Sequence, residues 1–462
     1  MNLRSRVLHG GAYLALRQGL GMVIGFGGLL VLTRTIGAEN YGLYAAALGI
    51  YKYSYDFTQL GIGVYLIRGQ NNEQRHEDCH QAFTLLLVFG ISVNLVALLG
   101  LPFWEQLSKD TGFTPIIISL FLGLPIHLLA LIPLARLERA LNYRLVAITD
   151  LIGQIVYYLV ALTLAFQGFG VWAPVGGWWS QKVVELTLLY QKTQYRPHFY
   201  WDWKLVRQMV GYGIGYSSSM WVWHLRQLVN PLVVLPFLGK ESAGYVDLAI
   251  QLVERLSFLK NATWRLSLAT LSHLQADRTR LVQAIGEGMR LQILAIAPLL
   301  VGFACVAPWL FPLFWDKSWL LVLQVYPFIA LSYLTNALFN LHSATLYVLK
   351  RNWEVTLFHF AHIALFAGGA YFLVPQWGII GYGAAEVLAI LSYIVIHAYI
   401  VRYLEAPDYR LAGIWWVGMS LPLFWQQLGA WTFVSLPAVL LSPGTLSEIR
   451  RFLANFKRGE NR

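Results

Sequence analysis

The sequence predicts an all-α polytopic membrane protein. Three observations carry that reading. Of 462 residues, 57% are hydrophobic and only 12% are charged, and the apolar stretches recur at membrane-crossing length. A soluble domain carries about 25% charged residues, and roughly 20 apolar residues span a bilayer core as a helix. Transmembrane strands would alternate over segments of about 10 residues, whereas these runs are continuous. In lipid each backbone amide must find its partner within its own segment, which a helix provides.

The apolar runs predict twelve spans in two groups of six. The first group covers residues 12–33, 41–63, 81–103, 113–134, 146–167 and 170–190. A polar stretch at 191–208 follows, and the second group covers 210–236, 243–265, 291–314, 320–347, 355–374 and 378–401. The run from Ala12 to Leu32 exceeds a signal-peptide core and is expected to remain as the first span. Residues 411–441 hold Pro422, Gly429 and Pro437 and are expected to form a short hydrophobic hairpin, re-entrant or as two thin spans. In the basic tail, Leu446, Ile449, Phe452, Leu453 and Phe456 share one helical face, as in an amphipathic helix on the inner membrane surface. The expected organisation is a six-helix lobe at 1–195, a second at 196–401, and the hairpin and tail at 402–462.

Charge supports this layout. With the N-terminus inside, the inner segments hold nineteen Lys and Arg residues and the outer loops only Arg34, Lys109, Lys240 and Lys317. A missing or extra span would swap every later loop and destroy the bias. The net charge of +11 is therefore read as orientation, not as a nucleic-acid surface. Cys79 and Cys305 form no disulfide framework or zinc spacing. His76-Glu77-Asp78-Cys79-His80 resembles a metal cluster in composition only, so no metal or cofactor is expected. The sequon at Asn261-Ala262-Thr263 lies near a cytoplasmic end and is discounted.

A shift of 202 residues superposes two segments. Gly37, Glu39, Gly42 and Ala47 meet Gly239, Glu241, Gly244 and Ala249, and upstream Gly11 meets Gly213. Both segments join the first span of a six-helix set to the second. Units with an even number of spans give a parallel repeat, with the halves related by an axis along the membrane normal and the substrate site between them. Gly37 and Gly239 are expected to end a helix in left-handed geometry, and Gly42 and Gly244 to permit close helix approach. The glycines at 25, 27 and 28 lie inside a span, without the strand or Lys of a phosphate loop.

The run Leu32-Thr33-Arg34-Thr35-Ile36-Gly37-Ala38-Glu39-Asn40-Tyr41-Gly42-Leu43-Tyr44, continued by Leu60-Gly61-Ile62-Gly63 and Leu66-Ile67-Arg68, resembles the Wzx-type polysaccharide flippases. These belong to the multidrug/oligosaccharidyl-lipid/polysaccharide export superfamily. Arg34, Gly37, Tyr41 and Gly42 carry the motif. The resemblance implies two lobes around a central cavity, rocker-switch alternating access and a polyprenyl-pyrophosphate-linked oligosaccharide as cargo. It further implies an inner-membrane location, a monomeric non-enzymatic chain, and a polysaccharide polymerase and chain-length proteins as candidate partners. The second repeat has Pro236 in place of Arg34, which favours a structural role for the motif.

Ionisable residues inside spans cost about 2.5–3.5 kcal/mol each on insertion scales and mark candidate sites. Arg17, Lys52, Arg226, Arg255 and Lys260 are the candidate head-group cations, since Arg can grip two phosphate oxygens at once. Asp56, Asp247, Glu254 and Glu386 are candidate ion-coupling acids, and Lys182 and Glu185 also fall in a span. The bland alternatives are snorkelling to an interface and static ion pairing. Lys52 and Glu254 are related by the 202-residue shift and are expected to pair across a cleft in one state. The 18 Trp residues are assigned mainly to interface belts. Two rival readings remain: a cation-coupled drug exporter of the same architecture, and a membrane glycosyltransferase or polymerase, which would need larger outer loops.

Overall fold

The computed structural model describes residues 3–68, 75–108, 110, 112–258, 260, 271, 273–275, 277–448 and 450. Among them all regular elements are helices, and seven helical stretches are long and apolar enough to cross a membrane. Two are of double length, Leu16–Thr58 with 43 residues and Asn352–Tyr403 with 52. Each breaks at one glycine: Gly37 at φ 78°, ψ 166° and Gly378 at φ 60°, ψ −138°. The first break lies between the expected first and second spans, the other at the start of the expected twelfth.

Helix occupies every expected span within the described residues, with three changes at the ends. The fourth continues through Leu131–Arg139, so Arg136 and Arg139 sit in a last helical turn instead of a loop. The ninth begins at Arg278 and runs to Phe314, well before the apolar residues start. Helix hydrogen bonding does not stop where lipid stops, so a hydropathy reading ends these helices early. The seventh begins at Trp203 and continues through a 3-10 turn at Leu225–Leu228 and a π-helical turn at Asn230–Val234 around Pro231. Proline lacks the N–H that a regular helix needs. The sequon, Lys109, Arg265 and the tail residues Ile449, Phe452, Leu453 and Phe456 lie outside the described residues.

Side-chain caps mark the starts. Asn142 accepts from the Leu145 N–H at 3.3 Å, Asp202 from Lys204 at 2.9 Å and Asp277 from Arg280 at 3.0 Å, each satisfying an orphan amide of a first turn. The polar stretch before Trp203 is pinned: the Asp202 N–H donates to Gln81 at 2.6 Å and the Tyr200 N–H to Thr84 at 3.0 Å.

Contacts divide the chain into two compact units, Met1–Asp247 and Leu248–Arg462. In the second, the C-terminal segment is wired to its neighbours by indole donors. Trp415 donates to Thr445 at 2.6 Å, Trp416 to Thr335 at 3.0 Å and Trp425 to the Ala304 carbonyl at 2.9 Å. The segment turns at Gly429, where φ is 96°, and returns to Glu448, which pairs with Arg290 at 2.8 Å with both side chains largely buried. It is thus a hairpin whose two ends lie on one side.

Candidate functional site

Two cavities of the unit Met1–Asp247 share Leu131 and Leu134 of helix Leu131–Arg139 in their linings. Seventh-span residues reach the first cavity because helix Trp203–His224 packs beside the second span. There the Trp221 indole donates to the Asp56 carbonyl at 3.0 Å.

This first cavity, of about 840 Å³, is lined by Asp56, Gln59, Glu138, Tyr216, Trp221 and His224 among others. His224 Nδ1 lies 2.7 Å from Asp56 Oδ2, and Gln59 donates to Oδ1 at 3.2 Å. One carboxylate is thereby held by an amide and faced by an imidazole. Lys52 is exposed, and the nearer group from another helix partners Asp56.

The second cavity, of about 660 Å³, gathers Arg17, Tyr55, His127, Asp150, Gln181, Lys182 and Glu185. Arg17 stands 3.5 Å from Asp150. Lys182 lies 2.9 Å from Glu185, which also accepts from Gln181 at 2.7 Å. The His127 ring stacks on Tyr55 at 3.8 Å, and its Nδ1 is 2.8 Å from the Tyr51 hydroxyl. Two cations and two carboxylates face this space, so this cavity is internally balanced and not a uniform positive lining.

The remaining expected residues fall elsewhere. Arg226 lies 5.2 Å over the Trp223 ring. Asp247 accepts from the Tyr41 hydroxyl at 2.5 Å, which gives the motif tyrosine a structural partner. In the other unit Glu254 accepts from Tyr333 at 2.8 Å. Lys260 donates to Asn336 at 3.1 Å and sits 4.6 Å over the Tyr333 ring. Arg255 is half-buried and Glu386 fully buried. His224, His127 and Asp150 escaped the sequence reading. Each is an ionisable residue within an expected span and satisfies the rule that selected the others.

The motif glycines have a sharper geometry than expected. Gly37 (φ 78°, ψ 166°) and Gly239 (φ 83°, ψ 176°) share one conformation. It is not the left-handed helical region but the extended positive-φ region that only glycine enters readily. Gly42 and Gly244 pack backbone on backbone: a Cβ on Gly42 would fall 1.7 Å from the Lys240 carbonyl oxygen, and one on Gly244 would fall 2.5 Å from that of Ala38. Beside this crossing Lys240 pairs with Glu39 and, at 2.7 Å, with Asp110. The Lys240 ammonium pulls the Asp110 carboxyl below its usual range, and hydrogen bonds from Lys240 to Asp110 and Glu39 hold its own value up. Arg34 is exposed.

Long apolar helices enclosing paired charges define a multi-pass membrane protein. Within that class the chain belongs to the polysaccharide biosynthesis protein family, whose model matches residues 31–324. It is 25% identical over 308 residues to the succinoglycan biosynthesis transport protein ExoT of Rhizobium meliloti (strain 1021), covering 63% of this chain and 59% of that protein. The match thus spans less than two thirds of the relative. In fold it is similar to the lipid II flippase MurJ, at a TM-score of 0.72 and 13% identity over 97% of this chain and 99% of that one. It is also similar to a multidrug resistance MATE family transporter of the MOP superfamily, at 0.61 and 14% identity over 81% and 98%.

Proposed function

We propose that the chain carries a polyprenyl-pyrophosphate-linked oligosaccharide from the cytoplasmic to the outer leaflet by alternating access, for cell-surface polysaccharide synthesis. The observation that carries this reading is the second cavity, where Arg17 and Lys182 stand inside an apolar bundle around about 660 Å³ of space. Charges in a membrane interior are costly, and here Asp150 and Glu185 offset them. An entering pyrophosphate would take over the guanidinium of Arg17, whose fork matches two phosphate oxygens. Family membership and the name of the Rhizobium relative support a polysaccharide precursor. The name of the fold neighbour supports a lipid-linked one.

In this reading the chain is a transporter and not an enzyme. It lies in the inner membrane with its N-terminus inside and acts as a monomer, with polymerase and chain-length proteins as partners. The matching breaks at Gly37 and Gly239 support lobes at 1–195 and 196–401 related by a parallel repeat, with 402–462 appended. Asp56 and His224 supply the coupling proton site. The test is reconstitution with a labelled lipid-linked oligosaccharide, scored for leaflet exchange under an imposed pH gradient. Exchange should require the protein and respond to the gradient, and Asp56→Asn and His224→Gln should each abolish that response. No exchange by well-inserted protein would overturn the reading.

A second reading is favoured by the first cavity, whose Asp56, Glu138, Tyr216 and Trp221 suit an organic cation. Thermal stabilisation by tetraphenylphosphonium and not by farnesyl pyrophosphate would select it.

A further inference from the structure

A third cavity, of about 960 Å³, lies where charge bias places the cytoplasmic face, and its lining includes His76, Asp78, Cys79, Arg136, Arg139 and Tyr195. It shares none of these residues with the two cavities above. Arg136 and Arg139 occupy the last turn of helix Leu131–Arg139, three residues apart and so on one face. The Arg136 guanidinium lies 5.3 Å over the Tyr195 ring. Arg139 Nη1 donates to the Leu66 carbonyl at 3.1 Å, and the Tyr195 hydroxyl donates to the Cys79 carbonyl at 3.1 Å. These contacts fix the direction of both forks and of the ring that backs one of them. Two permanent cations, a histidine and the Asp78 carboxylate thus line one space.

Membrane orientation requires Lys and Arg in the inner segments. It does not require two guanidinium groups held in one concave space. We propose that this cavity is a cytoplasmic binding site for a phosphate or pyrophosphate group, separate from the transport cavities. Planar guanidinium forks pair with phosphate oxygens two at a time. The same chemistry is offered by a lipid-linked pyrophosphate at the inner leaflet and by a soluble pyrophosphate, and the test separates them. The proposal stands whether or not the chain moves lipid.

Cys79 lines the cavity and is half-buried, so it reports occupancy directly. The experiment uses the full chain in detergent, carrying Cys305→Ser, and follows maleimide labelling of Cys79. Inorganic pyrophosphate should slow labelling saturably. Arg136→Gln and Arg139→Gln should each shift the protecting concentration upward by about 10-fold or more, as for loss of a charge-assisted hydrogen bond. The exposed Arg280→Gln should leave it unchanged. Arg136→Lys and Arg139→Lys keep the charge, lose the fork and should fall between, which guards against variants that fail to assemble. Farnesyl pyrophosphate protecting at a much lower concentration than pyrophosphate identifies a lipid head group as the ligand, and equal concentrations identify a soluble anion. Labelling that no pyrophosphate slows, or protection that survives both Gln variants, overturns the site.

Discussion

Replacing Gly42 by Ala should destabilise the protein more than any other single-methyl addition at a glycine of the first unit. The added Cβ would fall 1.7 Å from the Lys240 carbonyl oxygen and 2.8 Å from the Gly244 nitrogen. Ordinary contact begins near 3.4 Å, so the two backbones must part by up to 1.7 Å, the difference of these two distances. No rotamer relieves this, because the obstacle is main chain. A displacement of that size would break the hydrogen bond from Tyr41 to Asp247, now 2.5 Å, and that from Asn230 to the Ala243 carbonyl, now 3.1 Å. Overpacking costs about 1–3 kcal/mol and each of the two lost hydrogen bonds about 1 kcal/mol, which together give roughly 3–5 kcal/mol. At about 2–4 °C per kcal/mol, the melting temperature should fall by roughly 6–20 °C. Tryptophan fluorescence in detergent reads this directly, since the chain has 18 Trp residues. Gly211→Ala and Gly215→Ala, where nothing lies within 4 Å of the new methyl, should be neutral or slightly stabilising. A Gly42→Ala protein melting within about 1 °C of the parent would refute the close backbone crossing, since even the low end of the overpacking cost predicts more.

Three further outcomes follow from named contacts. Arg17→Gln should raise the apparent KM for a pyrophosphate-linked substrate by about 10- to 100-fold, the equivalent of one charge-assisted hydrogen bond, while Asp150→Asn should not; leaflet-exchange kinetics would check this. Asp110 has a depressed carboxyl value, so its stabilisation is present above the ordinary carboxylate range and is lost as pH falls through the lowered value. Lys240 has a raised value, so its share is complete below its ordinary 10.5 and is lost as pH rises through the raised one. Melting temperature against pH should show a plateau between these limits, and Asp110→Asn should flatten the acid limb by about 0.5–1 kcal/mol, the scale of partly exposed pairs. Arg290→Gln should release the C-terminal hairpin to protease by breaking its buried ion pair with Glu448, a cost of about 3–5 kcal/mol. Arg290→Met combined with Glu448→Leu should be less damaging than either single change.

The helical class, the span positions and the glycine crossing were legible in the sequence, because each rests on a local rule. Lipid excludes unpaired amides, so apolar length reports helix wherever it occurs. Gly37 and Gly239 stand where two expected spans meet, 202 positions apart, and both take a positive-φ break. The charge of the interior was not legible in the same way. Listing Arg17, Lys52, Arg226, Arg255 and Lys260 as a set of cations assumes that they share one space and that no acid arrives from elsewhere. Arg17 instead meets Asp150, 133 positions away, at 3.5 Å, and the polarity of that cavity is cancelled as fast as it is built. Asp56 meets His224, 168 positions away, and not the lysine one turn before it. Helical spacing places residues on a face, but a face in a bundle is completed by other helices, and the crossing of those helices is set by packing. Had the intramembrane histidines and Asp150 been counted with the other ionisable groups, the acid-and-histidine cavity would have been visible as a list. Its pairing would still have required the packing of helix Trp203–His224 beside the second span. The sign of a membrane cavity is therefore a property of helix packing, and a tally of cations along the chain bounds it without determining it.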